Sequence, residues 1–172
     1  MIKARAQRFP GDTYGELTSI GVDTLIDIFK EFFKNTDGVF YDLGSGKGNL
    51  CFQIAENTDI SKVIGVELHE KRYLESLDLL KKYKGDKLSY LKKDFTSMDF
   101  SDATIIFCSN EAMPRIVTEK ILDNAPKGCL IILGRKPNLE WLNKNPNVKF
   151  KYSKIIDKTY SKNRGNWYIV KE

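Results

Sequence analysis

The residues able to do chemistry sit where apolar runs stop. Phe40-Tyr41-Asp42-Leu43 breaks into Gly44-Ser45-Gly46-Lys47-Gly48, and Val63-Ile64-Gly65-Val66 ends in Glu67, about 25 residues after Asp42. Glycines at a strand-to-helix turn let backbone approach a ligand closely. An acid at the tip of the next parallel strand can accept hydrogen bonds from both hydroxyls of a ribose. Two further strand ends present Asp94-Phe95 and Ser109-Asn110.

Spacing separates the ligands such a turn could hold. A phosphate-cradling loop needs Ser or Thr after its Gly-Lys, whereas Lys47 is followed by Gly48. A dinucleotide fingerprint wants its third glycine where Asn49 stands, and it has no use for an acid such as Asp42 just before the turn. S-adenosylmethionine (SAM) carries a sulfonium and a free amino group, so an anionic side chain there attracts it. The pattern therefore reads as a SAM site, with S-adenosylhomocysteine as product, and a purely structural turn is the alternative.

These tips need strands and helices to place them. Ile20, Leu25, Ile28, Phe29, Phe32 and Phe33 recur at helical steps over 18–34, a helix expected to lid or flank the cofactor. Strands are expected at 38–43, 62–67, 87–92, 104–108 and 129–134, with helices at 49–57, 70–84 and 113–124 and a short one near 139–143. Runs at 150–156 and 166–170 read as a closing antiparallel hairpin around Asn163-Arg164-Gly165. The expected fold class is α/β, a Rossmann-like SAM-dependent methyltransferase of class I with a seven-stranded, mostly parallel sheet. One domain is expected over 1–172, with 1–34 as arm and helix and 38–172 as the sheet core. Ligands bind outside the carboxyl ends of parallel strands, so Asp42, Glu67, Asp94 and Asn110 should face one crevice.

Composition narrows the rest. The 172 residues are 41% hydrophobic, enough for one well-cored domain, and no apolar run is long enough to cross a bilayer. A soluble, intracellular protein with no membrane partner is expected. Cys51, Cys108 and Cys129 lie in apolar segments without a CxxC pair, and His69 is the single histidine, so buried thiols and no metal are expected. A net charge of +5 is compatible with a nucleic-acid-associated partner. Non-specific contact through lysines would use Lys3, Arg5 and Arg8, or the clusters Lys81-Lys82-Lys84-Lys87, Lys92-Lys93 and Lys149-Lys151-Lys154-Lys158, which otherwise read as solvated faces.

From Tyr14 to Val170 the chain resembles the non-SET histone-lysine methyltransferases of the disruptor-of-telomeric-silencing type. Tyr14-Gly15-Glu16 ahead of the first helix carries that resemblance, together with Asp42 to Gly48, Gly65-Val66-Glu67, Asp94-Phe95, Ile106 to Asn110 and the stretch from Tyr160 to Tyr168. The resemblance implies that Tyr14 and Glu16 close over the methionine end of SAM. Asp42 and Asn49, where the family favours Gln, hold its amino-acid head. Glu67 holds the ribose and Asp94-Phe95 the adenine; Gly44, Ser45, Gly46 and Gly48 form the turn. The family's active-site asparagine falls on Ser109, next to Asn110, and its channel tryptophan on Tyr160. Ser109, Asn110, Tyr160 and Tyr14 are thus the candidate catalytic residues. The implied partner is a histone or nucleosome, which would make the protein nuclear or chromatin-associated. With 13 residues before Tyr14, the chain is expected to be a minimal catalytic core.

The chemistry suits these residue types. Methyl transfer to an amine is an in-line displacement that needs a neutral nitrogen held about 3 Å behind the methyl carbon. Aromatic walls disfavour the ammonium by desolvation and lower a lysine's pKa. An amide or hydroxyl such as Asn110 or Ser109 orients the nitrogen. A protein-lysine N-methyltransferase follows, with methylation of a non-histone protein or RNA, or non-catalytic SAM binding, as alternatives. The lack of an Asn/Asp-Pro-Pro-Tyr/Phe run at Ser109-Asn110-Glu111-Ala112 weighs against methylation of base amino groups.

Overall fold

The computed structural model describes residues 15–32, 37–159 and 165–171. The elements run α1 (Ser19–Phe32), β1 (Val39–Leu43), α2 (Asn49–Asn57), β2 (Lys62–Glu67), α3 (Glu70–Leu80), β3 (Leu88–Lys92), β4 (Ile105–Cys108), α4 (Arg115–Asn124), β5 (Leu130–Leu133), α5 (Leu139–Lys144), β6 (Val148–Ile155) and β7 (Gly165–Lys171). The strands form one seven-stranded sheet in the order β3-β2-β1-β4-β5-β7-β6. β1 to β5 are parallel; β7 runs antiparallel to β5, and β6 antiparallel to β7. The order reverses between β1 and β4, the switch point where an open α/β sheet leaves a crevice at its carboxyl edge.

Strand alternation splits the core into two layers. Phe40, Val63, Ile105, Phe107, Leu130 and Ile132 point to the face covered by α1 and α2. Tyr41, Ile64, Ile106, Ile131 and Leu133 point to the face where Ile121 and Leu122 of α4 and Trp141 of α5 pack. Both faces are covered, which is why the central strands read as continuous apolar runs.

Three expectations shift. The helix placed at 113–124 begins only at Arg115, because Pro114 holds Met113 extended (ψ 154°) and leaves a single 3-10 turn at Asn110–Ala112 ahead of it. The helix placed at 70–84 ends at Leu80, where Lys82 N–H turns to Leu79 O and Tyr83 N–H is shared between Leu79 O and Leu80 O. α1 buries Val22, Leu25, Ile28 and Phe29 against the sheet, so it flanks the fold, and the crevice wall comes from the residues just before it.

Candidate active site

The turn after β1 is built on the end of β2. Gly44 N–H and Ser45 N–H both donate to Val66 O, at 2.8 and 3.0 Å, and Gly48 N–H donates back to Ser45 O at 3.0 Å. Gly48 sits at φ 87°, a left-handed conformation that strains any residue with a Cβ. Space forbids a side chain there as well. A Cβ on Gly48 would lie 2.5 Å from the Tyr90 ring, and one on Gly65 would lie 2.6 Å from the same ring. Tyr90 of β3 lies under the turn and donates its hydroxyl to Gly48 O at 2.7 Å.

Around this turn Glu16, Asp42, Gly44, Ser45, Gly46, Asn49 and Ser109 line one cleft of about 430 Å³, floored by Leu50 and Phe107. Glu16 reaches it on a short antiparallel ladder. Thr159 N–H donates to Glu16 O at 2.9 Å, Thr159 Oγ1 accepts from Glu16 N–H at 3.1 Å, and Leu17 bridges Lys158. The Asn49 side-chain amide, at the first residue of α2, donates to the Glu16 carboxylate and closes the cleft on that side. A larger apolar cleft lined by Ile26, Phe29, Gly38, Ile60 and Ile105 opens at the opposite ends of the strands, away from every strand-tip acid.

The electrostatics favour a cation. Asp42 is buried, and burial pushes its carboxyl up to about 7; the Cys51 thiol, donating across 3.8 Å, partly opposes this, and the charge of Glu67 adds to it. A positively charged group beside Asp42 would relieve that penalty. Glu67 is also buried, and its carboxylate accepts from Gly46 N–H at 2.9 Å and His69 N–H at 2.7 Å, with Arg72 Nε 3.6 Å away. An ionised carboxylate offers about four lone-pair sites, so two hydroxyl donors can join those two amides. Ser45 Oγ is buried without a hydrogen-bond partner among the described residues, and it lies against Gly65 of β2. A ligand with a cationic head and a ribose fits this donor and acceptor set.

The expected residues divide. The structure brings Glu16, Asp42, Gly44, Ser45, Gly46, Asn49 and Ser109 together, and joins Glu67 to them through Gly46. Asp94 is exposed and does not line the cleft; its Oδ1 accepts from Thr96 N–H and Thr96 Oγ1–H, capping a 3-10 turn at Phe95–Ser97, while Phe95 packs on the α4-side core. Asn110 requires a correction. It is fully buried, its amide donates to Thr118 Oγ1 at 2.6 Å and its Oδ1 accepts from Arg135 N–H at 2.7 Å, so it fastens the turn after β4 and does not face the crevice. Ser109, one residue earlier, does. Tyr14 and Tyr160 lie outside the described residues.

Sequence reading missed two features. Tyr90 has no local signal, because Gly48 and Gly65 meet its ring only once the turn and strands have come together. Lys158, grouped with the exposed Lys149, Lys151 and Lys154, is fully buried and paired with Glu111. Nothing in its local sequence separates it from its neighbours, because the partner is 47 residues away. Among the described residues no cluster of His, Cys, Asp and Glu could hold a metal ion, and no helix is long and apolar enough to cross a membrane.

Comparison with known proteins agrees with this geometry. The family model for the histone methylation protein DOT1 matches residues 4–167. The chain is 32% identical over 71 residues to a protein-lysine N-methyltransferase of Saccharolobus islandicus strain REY15A, covering 41% of this chain and 44% of that protein. It is 32% identical over 134 residues to an H3 lysine-79-specific histone-lysine N-methyltransferase of Caenorhabditis elegans, covering 67% of this chain and 14% of that one. It thus spans less than half the length of these curated relatives. In three dimensions it resembles magnesium protoporphyrin IX methyltransferase of Synechocystis PCC 6803 with bound SAM, at TM-score 0.68 and 14% identity over 94% of this chain and 88% of the other. That likeness gives the fold, the seven-stranded α/β fold of class I methyltransferases.

Proposed function

The chain belongs to the histone methylation protein DOT1 family, and from that premise we propose that it is a SAM-dependent protein-lysine N-methyltransferase acting on a core histone or another basic chromatin protein. The observation that carries this reading is the cleft itself: a buried Asp42 carboxylate, the glycine turn and Glu67 at adjacent strand tips, with Ser109 lining the same cleft. Bound there, SAM supplies a methyl group on a positive sulfur.

The chain's own residues do the rest. Asp42 and Asn49 hold the cationic amino-acid head, Glu67 the ribose hydroxyls, and Glu16 closes over the methionine end. Asp94 and Phe95 hold the adenine, for which Asp94 would have to give up part of its bond to Thr96. Ser109 orients the incoming lysine nitrogen, which loses its proton to solvent before it reacts, Tyr160 walls the lysine channel, and Tyr14 closes with Glu16 over the methionine end. Rate enhancement comes from alignment and desolvation, so no acid, nucleophile or metal is asked to act.

A histone substrate is supported by the names of the relatives, a protein-lysine and a histone-lysine methyltransferase. The exposed Lys149, Lys151 and Lys154 of β6 would meet nucleic-acid phosphates on such a substrate, and the protein would then be chromatin-associated. The test is incubation with methyl-labelled SAM and a panel of nucleosomes, free histones, small basic proteins and RNA. Label on histones that is lost in Ser109→Ala is expected; label on RNA alone would reject the lysine reading.

A further inference from the structure

The geometry points to a second tier behind the cleft: the buried Glu111–Lys158 ion pair positions the arm that carries Glu16, and so sets how tightly the methyl donor is held. This rests on the reading of the cleft as a SAM site. The Lys158 side chain is wholly buried and that of Glu111 nearly so. Taking both charges out of water is costly, and a well-packed apolar pair of similar volume is commonly as stable. The pair therefore does more for arrangement than for stability.

What it arranges follows from its two ends. Lys158 belongs to the segment after β6 whose backbone pairs with the arm: Leu17 bridges Lys158, Glu16 exchanges hydrogen bonds with Thr159, and Thr18 N–H and Oγ1–H donate to Asp157 O and Oδ2 at 3.1 and 2.8 Å. Glu111 belongs to the turn after β4, two residues beyond Ser109. That turn is fixed from below by Arg135, whose guanidinium donates to Glu111 O and Met113 O and whose N–H donates to Asn110. Gly134 leaves room for the Glu111 carboxylate, since a Cβ there would overlap its oxygens. Glu16 and Ser109 both line one cleft. The ion pair joins the segment that pairs with the Glu16 arm to the turn that carries Ser109, and neither Lys158 nor Glu111 lines the cleft.

The test compares Glu111→Gln and Lys158→Met with Phe100→Leu, a core substitution just ahead of β4, at the far end of the strand from Ser109. Thermal melts fix a temperature at which all are folded, and S-adenosylhomocysteine affinity is measured there by calorimetry beside KM for SAM and kcat. Each charge variant is expected to weaken S-adenosylhomocysteine and raise KM for SAM by about tenfold, with kcat at saturating SAM within about threefold, and Lys158→Arg to recover part of the loss. Phe100→Leu is expected to lower the melting temperature while affinity holds. If a single charge variant does not fold, the double variant Glu111→Leu/Lys158→Met, which strands no charge, takes its place with the same expectation. Wild-type affinity in the folded charge variants, or an equal loss in Phe100→Leu, would overturn the inference. A wild-type chain that binds no S-adenosylhomocysteine would instead bring down the proposed function beneath it.

Discussion

The Gly46 amide donates to the Glu67 carboxylate at 2.9 Å, so the glycine turn and the tip of the second strand are one bonded unit. The carboxylate proposed to hold the ribose and the turn beside it are thereby held at a fixed separation. Glu67→Ala removes the acceptor for both Gly46 and His69 as well as the ribose contact. Buried amides left without acceptors cost about 1–3 kcal/mol each, so a lower melting temperature is expected together with loss of S-adenosylhomocysteine binding of at least about a hundredfold. Calorimetry at a temperature where the variant is folded checks this, and retained affinity would remove the ribose assignment.

Asp42 makes cofactor binding pH-dependent. Its folded-state pKa of about 7 lies above the ordinary 3.8, so between those values the folded protein holds a proton that the unfolded chain has released. Stability from this group is present below pH 3.8 and is lost as pH rises through 7, by a few kcal/mol at most. Binding of a cationic ligand requires the carboxylate and expels that proton. SAM affinity should therefore climb by up to about tenfold per pH unit below 7 and level off above it. In Asp42→Asn the slope should vanish, with higher stability at pH 8 and weaker binding. Calorimetry in buffers of different ionisation enthalpy counts the released proton, and an unchanged slope in the variant would assign it elsewhere.

Tyr90 supports the turn and does not line the cleft. Tyr90→Phe removes the bond to Gly48 O and is expected to cost about 1 kcal/mol of stability with a small change in affinity. Tyr90→Ala leaves a cavity beneath Gly48 and Gly65 and should cost about 3–5 kcal/mol. Gly48→Ala combines a forbidden backbone conformation with overlap on the ring and should abolish binding. Denaturant unfolding of the three variants, set beside their affinities, orders them.

Ser109 and Asn110, adjacent in sequence, should separate in experiment. Asn110→Ala leaves Thr118 and the Arg135 amide without a partner in the interior, so its effect is a stability loss of about 2–4 kcal/mol. Ser109→Ala should melt within a few degrees of wild type and lose about tenfold or more in kcat, with KM for SAM nearly unchanged. The reverse pattern would return the nitrogen-orienting role to Asn110.

Legibility in the sequence followed the range of the interaction. The parallel core was readable because continuous apolar runs and strand-tip punctuation are local: helix 49–57 and strand 62–67 agree with α2 and β2 to the residue. Asp42 and the glycines were readable as one group because they follow one another across a single strand-to-helix turn. The distinction between Ser109 and Asn110 was not, because it depends on Thr118 and Arg135 of later elements filling the space behind the turn. The sequence did not show that Asp94 caps a turn, because a strand-end Asp two residues before a Thr offers its carboxylate equally to that turn and to a ligand. Lys158 resembled its exposed neighbours until Glu111 was brought to it by the pairing of the arm with the segment after β6.

Tandem mass spectrometry of histones after incubation with the wild-type protein and SAM tests the lysine assignment most directly. The expected result is a methyl increment on a lysine ε-amine, absent with Ser109→Ala and with Glu67→Ala. Methylation confined to RNA, or to a side chain other than lysine, by a chain that binds SAM would contradict it.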